Sequence, residues 1–350
     1  MSSGRYFEDF TIGQRLIHAL PRTIHGGDIS LYIALTGDRS PLSSSTEFAR
    51  SLGFARELVP DLLVFHIVFG QTVGDVSYRA VANLGYSDVR FLRPVFPGDT
   101  LSTESEVIGL RETSGKDAGV VYVRTIGSNQ KGQEVLTFAR WVLVPKRNPA
   151  SPSPTTSTPT LPTVVEADAI PVPTVLNLQR FWDVSWATGS AMRWSDYQVG
   201  TRFDHPGAMT IEEADHMQAT RLYHNSAQVH FDAHGMAGSR FGKRLVYGGH
   251  IISIAAALAQ QSLGNALLMA AWNSGTHANP TFAGDTLRAT SHVVARAELP
   301  ERNDVGAVRI ALVASKNLNE AEVAALPAPG ATPRNPAVVL ELDFWTLVPR

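Results

Sequence analysis

Three residue types with chemical potential lie close together in the second half of the chain. His230 stands in YHNSAQVHFDAH (223–234), with Asn225 five positions before it, and Gly248-Gly249 open the apolar run VYGGHIIS (246–253). A histidine can take and return a proton near neutral pH. An asparagine cannot take a proton, but its amide can orient a water or the imidazole. Glycines at a helix start let a ligand approach the backbone, where free N–H groups and the positive end of the helix dipole favour an anion. Together they suit proton transfer beside a stabilised oxyanion. The ordinary alternatives are a structural histidine and a glycine pair that merely eases packing.

Other patterns carry less. His230 and His234 are four apart, but HFDAH lacks the glutamate of the zinc-protease helix motif and no third ligand is evident, so no metal is expected. Asp232 reads as a helix N-cap. No glycine-rich phosphate loop precedes a helix, which removes nucleotide-redox and NTPase readings. The absence of cysteine excludes disulfides, thiolate catalysis and iron–sulfur chemistry.

The elements that must position these residues come from a duplication. Shifted by 187, eleven positions coincide between 9–59 and the later half: Asp9/Asp196, Gly13/Gly200, Arg15/Arg202, His18/His205, Thr23/Thr210, Ile24/Ile211, Asp28/Asp215, Leu35/Leu222, Phe54/Phe241, Leu58/Leu245 and Val59/Val246. At 186, PVFPGDTLSTESEV (94–107) meets PTFAGDTLRATSHV (280–293), and the halves end alike in WVLVP (141–145) and WTLVP (345–349). A period this long means two tandem domains rather than a solenoid. Each half carries a long apolar helix (62–74 or 249–262) followed by strands of period-2 alternation, an α+β pattern. Between them, 145–173 holds eight of the 21 prolines and reads as an extended linker. The expected division is 1–145, a linker and crossover at 146–190, and 191–350.

Composition agrees with a folded, soluble chain. It is 44% hydrophobic and 18% charged, with a formal net charge of −2, which leaves no footprint for nucleic acid or an anionic membrane. The amino terminus has no basic-then-apolar leader pattern, and the longest apolar runs are far too short to span a bilayer. A cytoplasmic protein is the expectation.

The long helix followed by FLRPVFPGDTL (91–101) resembles the hot-dog fold of the MaoC-like hydratases, whose motif sets Asp and His five apart in G-D-x-N-P-L-H. The first half has TGDRSPLSSSTEFA (36–49), with Asp38 but Ser43 at the histidine position; the second has Asn225 and His230. The stretches DLLVFHIVFGQTV, VANLGYSDVRF, ATRLYHNSAQVHF and RFGKRLVYGGHIIS further resemble the branch of that family whose substrate is mesaconyl-CoA. This resemblance implies a tandem double hot-dog and reversible hydration of an enoyl-CoA thioester. His230, Asn225 and Gly249, the oxyanion donor, would be catalytic, all in the second copy. The first has Asp61-Leu62 where the second has the glycines.

An acyl-CoA substrate would need cations for its phosphates and for a distal carboxylate. Arg221, Lys243 and Arg244, with Gly248 and His250, are the expected binding residues; Arg90, Arg93 and Arg240 are further candidates. No cofactor is expected beyond the coenzyme A of the substrate itself. Pairing of two chains into a homodimer is left open. Another (R)-3-hydroxyacyl-CoA as substrate, or an acyl-CoA-binding pair without catalysis, are the competing readings.

Overall fold

A buried helix is the centre of each half. Asp61–Thr72 has every residue from Leu62 to Thr72 buried, and Gly248–Gln260 is nearly as enclosed. A helix apolar on all sides can only be a core helix, and here a sheet wraps it. The computed structural model describes residues 4–332 and 334–350. Met1–Ser3, where the expected first domain begins, lie outside the described residues.

The first half contributes β1 (Arg15–Ile17), β2 (Arg22–Thr23), β3 (Ala82–Phe91), β4 (Thr100–Glu112), β5 (Ala118–Ser128) and β6 (Glu134–Pro145). The second contributes β7 (Arg202–Asp204), β8 (Met209–Thr210), β9 (Leu268–His277), β10 (Thr286–Glu298), β11 (Val305–Lys316) and β12 (Val338–Pro349). They form one twelve-stranded sheet in the order β1-β4-β5-β6-β3-β9-β12-β11-β10-β7, with β2 on β4 and β8 on β10. The order reads identically from either end, because β1 to β6 correspond to β7 to β12. The halves join where β3 runs antiparallel to β9, with Tyr86 opposite Gly275 and Val89 opposite Trp272. This is the α+β architecture expected from the sequence: two long helices, each wrapped by a curved antiparallel half-sheet.

The repeat extends to polar detail. His18 Nε2 lies 2.8 Å from Ser105 Oγ, and His205 Nε2 lies 2.8 Å from Ser291 Oγ. Asp99 accepts from the Phe96 N–H and Asp285 from the Phe282 N–H, each at 2.9 Å, which closes the two Gly-Asp turns. The second half carries an insert at 317–337, between β11 and β12, and this is why the spacing of equivalent residues grows from 187 to 204 by the Trp141/Trp345 pair.

The proline-rich segment is laid against the sheet rather than free of it. Ser157 bridges Leu110 of β4, Ser87 of β3 donates to the Pro162 carbonyl, and Val165 N–H donates to Asn273 Oδ1 of β9 at 2.8 Å. Trp345 of β12 donates its indole N–H to the Val165 carbonyl at 3.0 Å. Val165, Ile170, Leu176, Leu178 and Phe181 are buried with residues of β9, β11 and β12. Proline supplies the extended path, and the aliphatic residues between prolines supply the burial.

Candidate active site

His230, Asn225 and Gly248 line one cleft of about 640 Å³. The local chain explains their placement. The helix Glu213–Leu222 ends at Tyr223, and His224 turns the backbone into the left-handed region (φ 58). Its counterpart in the first half is Gly37 (φ 73), the residue that adopts this conformation without cost. After the turn the Asn225 side chain folds back, its Oδ1 accepting the Ala227 N–H at 2.9 Å. Asp38 makes the same turn with the Ser40 N–H at 2.8 Å. With its oxygen so engaged, Asn225 retains its Nδ2 as a donor.

His230 closes the short helix Gln228–His230, and its Nδ1 donates to the Leu245 carbonyl at 2.9 Å. That bond assigns the tautomer: Nδ1 carries the hydrogen and Nε2 keeps its lone pair. Burial pushes the imidazole down to about 4, so it is neutral at physiological pH. A neutral ring with one fixed nitrogen and one free lone pair has the chemistry a general base needs.

Tyr247 is the N-cap of the central helix, so Gly248 and Gly249 hold its first two N–H groups, which have no carbonyl a turn behind them. The His250 N–H already donates to the Tyr247 carbonyl at 2.9 Å. A Cβ on Gly248 would come within 2.5 Å of the His277 ring, and one on Gly249 within 2.4 Å of the Tyr247 ring and 2.7 Å of His66. Both positions therefore demand glycine for packing, but only Gly248 lines the cleft; Gly249, the expected oxyanion donor, is buried behind Tyr247 and His66 and is not part of the lining.

Of the other expected binding residues, all but Arg240 lie outside the cleft lining. Arg244 pairs with Glu213 and reaches the Phe231 carbonyl at 3.3 Å. Lys243 stands over the Phe282 ring at 4.4 Å, and Arg221 is exposed on the last turn of Glu213–Leu222. His250 is 1% exposed and faces Tyr223 rather than the cleft. Arg90 pairs with Asp88, and Arg93 donates to the Glu134 carbonyl. Arg240 is on the cleft wall. Asp232 caps Ala233–Ala237 by accepting the Gly235 N–H at 2.8 Å.

Sequence reasoning missed that the cleft crosses into the first half. Phe69, Asn83, Tyr86 and Arg140 line it together with His277. The signal for Arg140 was present: in VLTFARWVLVP the inward series of β6 is Leu136, Phe138, Arg140, Val142 and Val144, one cation among apolar side chains.

The pseudo-equivalent place in the first half is a cavity of about 100 Å³ lined by Asp38, Ser43, Pro60, Asp61, Met269 and Phe344, among others. Asp61 stands where Gly248 stands in the cleft, and it accepts the Met269 N–H at 3.1 Å. Burial raises its carboxyl to about 7. A carboxylate thus occupies the helix start that the larger cleft leaves open.

The chain resembles known proteins over nearly its whole length. Residues 1–325 match the family model described as mesaconyl-CoA hydratase. The chain is 50% identical over 347 residues to a β-methylmalyl-CoA dehydratase of Chloroflexus aurantiacus, covering 99% of this chain and 97% of that one. It is 48% identical over 349 residues to a mesaconyl-CoA hydratase of Cereibacter sphaeroides, covering 100% and 99%. Among solved structures, a MaoC domain protein dehydratase from Chloroflexus aurantiacus superimposes with a TM-score of 0.94 at 49% identity, over 100% of this chain and 99% of that one. A Mycobacterium tuberculosis protein described as a double hotdog fold gives 0.80 at 25% identity, over 98% of each chain.

Proposed function

The chain belongs to the mesaconyl-CoA hydratase family, and from that premise we propose that its cleft adds water reversibly to mesaconyl-CoA, giving β-methylmalyl-CoA. The enzyme is a hydro-lyase of MaoC-like type. Residues 191–350 carry the catalytic copy, and 1–145 a copy that has lost its site. Coenzyme A enters as part of the substrate, no separate cofactor takes part, and the reaction belongs in the cytoplasm.

The steps balance on the chain's own groups. A water donates to His230 Nε2 and accepts from Asn225 Nδ2. Its oxygen bonds to the β-carbon as His230 takes the proton. The double-bond electrons move onto the thioester oxygen, where the N–H groups of Gly248 and Gly249 and the helix dipole stabilise the charge, an arrangement typically worth about 3–4 kcal/mol per donor. The enolate collapses, and the α-carbon takes the proton back from His230. Dehydration is the reverse.

The observation that carries this reading is the Nδ1-to-Leu245 hydrogen bond, which leaves His230 Nε2 free on the wall Asn225 shares. Incubation with mesaconyl-CoA tests it. The conjugated thioester absorbance should fall while the mass rises by one water. Purified protein that leaves mesaconyl-CoA unchanged would remove the assignment.

A further inference from the structure

Arg140 is an unpaired cation in the core. It is 0% exposed, yet no carboxylate among the described residues pairs with it. One terminal nitrogen donates to Thr72 Oγ1 at 2.7 Å, Ser77 Oγ lies 3.4 Å away, and the guanidinium rests on the Phe69 ring at 4.2 Å. Its Nε has no partner. Burying a guanidinium on hydroxyls and a ring face forfeits its hydration without the counter-charge that would offset the loss.

Two more groups on the same wall share this condition. The Tyr247 hydroxyl and the Asn83 amide are buried without partners, and both line the cleft with Arg140. Arg140 Nε, Tyr247 OH and Asn83 Nδ2 are donors, and Asn83 Oδ1 is an acceptor also left without a partner. Three unsatisfied donors and a buried positive charge on one cleft lack an anion.

The fold does not require them. In the small cavity of the first site, the equivalents of Arg140, Asn83 and Tyr247 are Phe344, Met269 and Pro60, and all three line it. The same architecture is built there with no polar group at any of the three positions. The polar set therefore belongs to what the large cleft binds.

We propose that Arg140, with Tyr247 and Asn83, binds the carboxylate of the acyl group and makes the enzyme selective for a dicarboxylic thioester. This rests on the hydratase reading, since mesaconyl-CoA carries its carboxylate on the carbon that water attacks. Pairing that carboxylate removes negative charge from the path of the incoming water. The role expected of Arg244 and Arg221 passes to a residue of the other half.

Binding and rate are measured together. Succinyl-CoA and butyryl-CoA are saturated acyl-CoAs with and without a terminal carboxylate and offer no double bond to hydrate, and calorimetry with freshly prepared ligand on wild type, Arg140→Met and Arg140→Gln gives their dissociation constants. Both variants should weaken succinyl-CoA by tenfold or more and leave butyryl-CoA within a few-fold. The kcat/KM for mesaconyl-CoA should fall on the order of 10²-fold. Arg140→Gln, which can still donate to Thr72, carries the test if Arg140→Met does not fold. Equal weakening of both ligands, or of neither, overturns the Arg140 proposal while wild-type turnover of mesaconyl-CoA keeps the hydratase reading. A wild type that does not hydrate mesaconyl-CoA overturns both.

Discussion

His66 and Ser253 are the same position of the two halves, 187 residues apart, and they hydrogen-bond each other, Nε2 to Oγ, at 2.8 Å. The pseudo-twofold axis relating the halves passes between them. In a symmetric pair of identical chains a residue on the axis meets its own copy, so only self-complementary choices work. Duplication within one chain lifts that restriction. Ser253 Oγ also receives the Tyr32 hydroxyl at 3.0 Å, so one serine ties the central helix of the second half to two elements of the first.

Ser253→Ala should therefore destabilise the whole chain. It leaves His66 Nε2 and Tyr32 OH buried without partners, a loss of about 1–3 kcal/mol for each unsatisfied group. Denaturant melts would show a lower midpoint at unchanged slope. An unchanged midpoint would mean that the pair is not part of the joint.

His230→Ala should lower kcat by roughly 10² or more, the typical contribution of a general acid–base residue. The wild-type pH profile follows from the lowered imidazole. His230 is neutral, and so able to accept a proton, at any pH well above about 4. The kcat/KM should stay flat from pH 8 toward pH 5 and fall only as pH drops through the histidine's own range. A limb near 6.5 would show a solvated histidine instead.

Gly248→Asp copies into the cleft what Asp61 does in the first half. The new side chain would meet the His277 ring and set a carboxylate at the oxyanion position. Loss of kcat by on the order of 10²–10³ is expected, the usual consequence of losing an oxyanion donor. Lost turnover in a preparation that still melts cooperatively, at a midpoint lowered by the clash with His277, is the outcome that fits; unaltered turnover contradicts the oxyanion assignment.

Asp61→Asn should stabilise the protein at high pH only. Burial raises the folded carboxyl from 3.8 to about 7. The unfolded chain then ionises this group more readily than the fold does, so its cost starts near pH 4, grows with pH and is complete above about 7. Removing the charge should raise the melting temperature at pH 8 and change it little at pH 4. An equal gain at both pH values would point to a packing effect.

The duplication was legible because burial fixes side-chain type: Ile24/Ile211, Leu35/Leu222 and Val59/Val246 repeat where the core repeats. That His230, Asn225 and Gly248 meet at one cleft was legible because their places depend on a short stretch of backbone, a turn and a helix start. The cations were not. Arg244 lies three positions before Tyr247, yet it turns back to Glu213, because adjacency along a loop does not decide which way a side chain leaves it. Arg140 enters the cleft from 90 residues before His230 on a strand of the other half. Its meaning needed the sheet joint at β3 and β9, and the comparison with Phe344 that WVLVP and WTLVP made available.

The path of the proline-rich segment bears on self-association. It touches β4, β3, β9 and β12 in turn, so a second sheet stacking on those strands would have to displace it. The two ends of the strand path are β1 and β7, three residues each. Short outer strands offer little open backbone for another chain to extend. An aggregating strand would find only three-residue outer strands to lengthen and would have to lift the segment to lie on the four strands it touches, and the protein should resist amyloid-type growth so long as the segment stays in place.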